Sequence, residues 1–227
     1  MFSSDDGRLA NPVHAALRGP QARFAQISGQ ALRYPADVAP FLALPSEPSR
    51  QDWLDAAELV PAGTSAALVH TGVDVPEAWR TLHEFEVVQM IGEHVSGIAE
   101  PEAIPLDAAD VPEMLELVRQ NDPGPFRDRT IELGDYLGIR RYNQLVAMGG
   151  ERLHLDGWTE ISAVCTSPTY RGHGMASRLM GALIAGIQHR SERALLHVVP
   201  TNTNAIRLYD KLGFRERRRL TISVLTR

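Results

Sequence analysis

The stretch Val164-Cys165-Thr166-Ser167-Pro168-Thr169-Tyr170-Arg171-Gly172-His173-Gly174-Met175-Ala176 has the residue types and spacing to hold an anion. It reads as a strand, a turn containing proline, two glycines and then a long helix. The start of a helix leaves backbone N–H groups without partners. Together with the helix dipole (about half a positive charge) they favour a phosphate or diphosphate. Gly172 and Gly174 carry no Cβ, so a bulky anion can approach the main chain. A P-loop would need a lysine followed by Ser or Thr after its second glycine, yet the one lysine in the chain is Lys211. A dinucleotide turn would need Gly or Ala where Ser177 stands. It would also need an acidic residue at the end of the next strand, where residues 194–199 run into Pro200.

Arg171-Gly172-His173-Gly174-Met175-Ala176 fits a third pattern, Arg/Gln-x-x-Gly-x-Gly/Ala. A second block follows after one strand-like segment: Asn204-Ala205-Ile206-Arg207-Leu208-Tyr209-Asp210-Lys211-Leu212-Gly213-Phe214. In these two blocks, in this order, the sequence resembles the GNAT superfamily of acyl-CoA-dependent N-acyltransferases. The resemblance extends from about residue 104 to the C-terminus. It implies acetyl-CoA as cosubstrate; the eight His show no H-E-x-x-H or Cys-His cluster, so no metal is expected. The diphosphate would lie on Arg171, Gly172, His173, Gly174, Met175, Ala176 and Ser177. The strand before the turn would splay from its parallel neighbour, so that the pantetheine arm pairs with the main chain of Val164, Cys165 and Thr166. Asn204 would reach the same arm, although an Asn at a helix start is also a preferred cap. Tyr209 would stand beside the sulfur as general acid; the alternative is a tyrosine that packs helix on sheet.

Acyl transfer to an amine needs a neutral amine, donors for the charge that grows on the thioester oxygen, and a proton for the leaving thiolate. A lysine-like amine of pKa ~10.4 is neutral in only a few molecules per ten thousand at pH 7, so a base or desolvation must raise that fraction. Glu160 is the base candidate. It lies four residues before Val164 on the same strand, and so on the same face if no bulge intervenes. A structurally paired glutamate is the competing reading. Cys165 reads as a small buried hydrophobe, since no His or acid adjoins it in sequence to activate it. His173 is expected to face solvent or a phosphate. Arg215, Arg217, Arg218 and Arg219 read as a solvated edge. Phe126, Arg127, Arg129 and Glu132 are candidate liners of the acceptor pocket by resemblance.

These residues need a scaffold. Asp107 caps a helix over residues 108–120 with Val111, Leu115 and Val118 on one face. Residues 137–141, 144–154 and 157–166 read as successive strands. A helix over 174–189 buries Met175, Leu179, Leu183 and Ile187. Residues 195–199 form a strand, 204–212 a helix closed by Gly213, and 214–225 the last strand. The fold class is therefore α/β (α+β): a mixed, mostly antiparallel central sheet with helices on both faces over residues 104–227. A small β-rich subdomain of unknown role, residues 1–100, is expected to precede it. There, residues 21–34 form two strands around Ser28-Gly29, 51–60 a helix, and 66–70 and 85–91 strands. Pro35, Pro40, Pro45 and Pro48 interrupt regular structure, and residues 92–105 form the linker.

The chain has 227 residues and is 44% hydrophobic, enough for one substantial core. Its net charge of −5 argues against general nucleic-acid binding. No apolar run reaches membrane-spanning length, and the acidic N-terminus does not resemble a signal peptide. A single cysteine excludes an internal disulfide and suits the reducing cytoplasm. The expected partner is a small-molecule or peptide amine, with no nucleic acid, no membrane and a homodimer as an option. Two other classes compete with the transferase: a non-catalytic acyl-CoA-binding regulatory module and a nucleotide-dependent oxidoreductase.

Overall fold

The computed structural model describes residues 4–227, with side chains from Gly7 onward. The chain begins with helices α1 (Ser4–Ala10) and α2 (Pro12–Arg18). Three short strands follow: β1 (Gln26–Ser28), β2 (Ala31–Arg33) and β3 (Phe41–Ala43). Helix α3 (Arg50–Leu59) leads to β4 (Ser65–His70) and the long β5 (Arg80–Gly92). Then come β6 (Ile104–Pro105), α4 (Val111–Asn121), β7 (Tyr136–Arg141), β8 (Gln144–Leu155) and β9 (Trp158–Thr166). The C-terminal part is α5 (Met175–His189), β10 (Arg193–Val198), α6 (Thr203–Leu212) and β11 (Arg215–Thr226).

All eleven strands join one sheet in the order β1-β2-β3-β4-β11-β5-β10-β9-β8-β7-β6. Only β3–β4 and β9–β10 are parallel pairs. Period-two alternation assigns each strand residue to a face. On one face Met180, Leu183, Ile184 and Ile187 of α5 pack on Val88, Met90, Leu196 and Val198, with α6 beside them. On the other, Met114 and Leu117 of α4 cover Met148, Ala163 and Cys165. Alongside them Val13 and Leu17 of α2 join Val87, Leu195 and Leu220 in a second cluster.

Several elements differ from the sequence expectation. Helices α1 and α2 occupy a region read as β-rich, and β3 forms between the prolines. On α4 the fully buried residues are Met114 and Leu117, while Val111, Leu115 and Val118 are only partly buried. The stripe is rotated because the helix straddles β8 and β9. The expected boundary near residues 100–104 coincides with no break in the sheet. β5, from the first hundred residues, lies between β10 and β11 and pairs with both. Residues 93–103 run along α5 instead. Ile98 donates its N–H to Gly181 O at 2.9 Å, and Arg178 holds Glu100 at 2.7 Å. Gly97 lies so close that an added Cβ would stand 2.3 Å from the Ala185 backbone.

Candidate active site

The glycine turn connects β9 to α5. Gly172 and Gly174 have φ of +82° and +73°, values that strain any residue with a side chain. Gly174 is the residue preceding the first turn of α5. The Ser167 N–H donates to Val146 O at 2.8 Å and the Tyr170 N–H to Ser167 O at 2.8 Å, which folds the Pro168 turn back on itself. From Gly172 through Ser177, no backbone N–H finds a protein acceptor among the described residues, and the first pairing downstream is Arg178 N to Gly174 O at 3.1 Å. These six donors therefore stay open at a helix start. Open space also lies where a Cβ on Gly172 or Gly174 would project. Arg171 is anchored: its Nη2 donates to Asn121 Oδ1 at 2.7 Å, tying the turn to the end of α4. His173 is exposed and turns its Nδ1 back toward Arg171 O at 3.0 Å, bracing the loop.

The strand before the turn departs from its neighbour. β9 and β10 pair only at Arg193↔Trp158, Ala194↔Thr159 and Leu195↔Glu160. Beyond Glu160 the β9 edge facing β10 has no ladder partner among the described residues through Thr166. This leaves a split that opens toward the glycine turn. A bulge accompanies it. Met148 pairs with Cys165 but Gly150 with Ser162, so β9 holds one extra residue there, and Ala163 takes φ +54°. The bulge exchanges the faces: Ile161 and Val164 both turn toward α5, whereas Ala163 and Cys165 lie under α4. Burial pushes the Cys165 thiol up to about 12, against a smaller opposing pull from Arg171, so it stays protonated. The Thr166 hydroxyl is buried without a partner among the described residues.

The bulge also corrects the reading of Glu160, which lies on the opposite face from Val164. It is fully buried, and both oxygens are taken. Arg152 donates from Nη2 at 2.6 Å and Nε at 2.9 Å, and His197 Nδ1 lies at 2.6 Å. Burial alone would raise the carboxyl, but Arg152 and His197 outweigh it and hold it at about 2. The network continues through Gln89. Its Nε2 donates to Leu9 O at 2.8 Å and lies 3.0 Å from His197 Nε2, while Arg217 donates to its Oε1 at 3.2 Å. With Gln89 so oriented, His197 Nε2 is the acceptor and its proton sits on Nδ1, facing Glu160. Glu160 thus belongs to a network over β9, β8, β10, β5, β11 and α1 instead of facing the split. Counting outward from the Asp156-Gly157 turn would put Leu153 level with Glu160, and the register shift between Glu151 and His154 brings Arg152 there as well. The sequence therefore did not identify Arg152 as the partner, and nothing in it pointed to His197 or Gln89.

On α6, Asn202 is the cap, accepting from Ala205 N at 3.1 Å, so Asn204 is free of that duty and exposed. Tyr209 packs edge-on against Phe214 at 6.1 Å, and its hydroxyl makes no hydrogen bond among the described residues. Burial raises its pKa, so the phenol remains a proton donor at neutral pH. Among the proposed acceptor liners, Phe126 is buried against Tyr136, while Arg129 bridges Glu132 at 2.7 Å and Asp37 at 3.2 Å. A cavity of about 580 Å³ lies elsewhere. Leu106, Leu137, Glu151, Leu183 and Gly186 line it, toward the far end of α5 from the glycine turn.

Residues 136–222 match the model of the FR47-like protein family. No curated protein matches the chain. The chain is similar to a crystal structure from Novosphingobium aromaticivorans DSM 12444, assigned as an acetyltransferase of the GNAT family. Identity is 35%, coverage is 96% of this chain and 98% of that one, and the TM-score is 0.89. A GCN5-related N-acetyltransferase from Kribbella flavida shares the fold at 17% identity, 95% and 94% coverage and TM-score 0.64. A GCN5-related N-acetyltransferase-like protein from Streptococcus suis 89/1591 does so at 16% identity, 87% and 81% coverage and TM-score 0.52.

Proposed function

The chain belongs to the GNAT family of acetyltransferases, and from that premise we propose that it moves an acetyl group from acetyl-CoA to a primary amine by direct attack in a ternary complex. The six open amides of Gly172 to Ser177, beside the β9–β10 split, support this reading more than any other feature. Acetyl-CoA supplies the thioester. The amides from Gly172 through Ser177, including those of His173, Met175 and Ala176, hold its diphosphate, with Arg171 adding positive charge at the rim. The β9 edge left open toward β10 over Val164, Cys165 and Thr166 pairs with the pantetheine arm, and Asn204 reaches that arm from α6. A β9 N–H donates to the thioester oxygen and binds it more tightly as negative charge grows there.

As the amine nitrogen bonds to the carbonyl carbon, the carbon–sulfur bond breaks. The sulfur takes the proton of Tyr209. The amine's own proton leaves to water at the open end of the split, because Glu160, on the other face and already paired, is not placed to take it. This proposal is checked by following CoA release with a thiol reagent across a panel of amines. Release that depends on both acetyl-CoA and an amine is expected. Tight acetyl-CoA binding with no release for any amine would favour the non-catalytic module.

A further inference from the structure

β5 carries an unpaired edge beside the proposed site. β11 pairs with it along its whole length, from Arg80↔Thr226 to Ile91↔Arg215. On its other side β10 pairs only from Val88 to Gly92 and stops at Val198. Among the described residues the edge facing β10's side therefore has no strand partner over residues 80–87, and residues 80–86 are exposed. The chain after Val198 turns away into α6 and makes no backbone bond to β5. A bulge at Leu82, between His83↔Val224 and Thr81↔Leu225, ends the regular part of the edge. Residues 83–87 remain as a straight run in which alternate residues turn their backbone N–H and C=O toward this open edge, with Phe85 43% exposed. This lane continues β10 beyond its end, one strand spacing (about 4.8 Å) from the β9–β10 split.

We infer that this edge docks the acceptor: an extended polypeptide added as a strand antiparallel to β5, amino end first, with basic residues at its second and fourth positions. The inference rests on the acetyl-transfer reading and names its substrate class. Direction follows from topology. A strand antiparallel to β5 runs as β10 does, so its first residue lies by Val198 and its α-amine at the split. Charge follows from register. With the first residue opposite Val87, the second and fourth stand opposite Glu86 and Glu84, which share a face. Glu84 is held in place by Ser223 Oγ at 2.7 Å and Glu86 by Arg219 at 3.1 Å. A second copy of this chain is the poorer occupant, because antiparallel pairing of residues 83–87 with themselves sets Glu84 against Glu86.

The test compares kcat/KM for the amidated peptides Ala-Arg-Ala-Arg-Ala and Ala-Glu-Ala-Glu-Ala and for a small primary amine, in the wild type and in Glu84→Lys/Glu86→Lys. Arginine is used because its side chain is not an acceptor amine. The wild type should prefer the arginine peptide by roughly tenfold, and the variant should lose or invert that preference while keeping its rate on the small amine. N-methylating the second or the third peptide nitrogen should cut turnover in one case only, since alternate amides face β5. Equal rates for the two peptides, an unchanged preference in the variant, or equal tolerance of both methylations would overturn the inference while acetyl transfer to the small amine stands. No transfer to any amine would overturn the underlying reading as well.

Discussion

At the scale of single residues, Gly174 is the most exposing position. Gly174→Glu adds a side chain at φ +73° and a negative charge where an anion is expected, so acetyl-CoA binding should vanish by calorimetry while circular dichroism stays native. Tyr209→Phe should lower kcat several-fold with little change in acetyl-CoA affinity, and unchanged turnover would leave Tyr209 as packing. Glu160 is tested by acid. Its carboxyl is held at about 2 against an ordinary 4.5, so its contribution to stability is complete above pH 4.5 and lost as pH falls toward 2. Glu160→Gln should flatten that part of the stability–pH curve, measured by urea unfolding. The residues of the glycine turn were legible because a positive φ at a helix start calls for glycine. Glu160 was misread because alternation across an unseen bulge gave it the wrong face.

At the scale of elements, the polar network matters most. Glu160→Ala leaves the Arg152 guanidinium, 11% exposed, without its partner, and should cost about 3–5 kcal/mol in urea unfolding. Asn202→Ala should cost about 1 kcal/mol, whereas Asn204→Ala should leave stability unchanged, because only Asn202 caps α6. The helices and strands of residues 104–227 could be read from periods of two and 3.6 residues. Helices α1 and α2 could not: each is seven residues long and Asn11-Pro12 interrupts them, too short for a period to emerge. The edge of β5 was equally hidden, since alternation reports the faces of a strand and not its neighbours.

For the whole molecule, the position of β5 between β10 and β11 couples the first hundred residues to the proposed site. A fragment of residues 104–227 would lack the strand that bridges β10 to β11 and should not fold alone, as a loss of cooperative thermal unfolding would reveal. The order of strands in a sheet depends on long-range pairing, which local sequence does not encode, so the continuous sheet came from the structure. The resemblance of two motifs carried the family, and the 35% identical neighbour supports the family over the full length. The central claim is that the main chain at the start of α5 grips coenzyme A beside the split. Its most direct test is an amide NMR titration of the ¹⁵N-labelled protein with acetyl-CoA. Large shifts and slowed hydrogen exchange should concentrate at the amides of Gly172 to Ser177 and along the β9 edge from Val164 to Thr166. Saturable binding with those amides unmoved would contradict it.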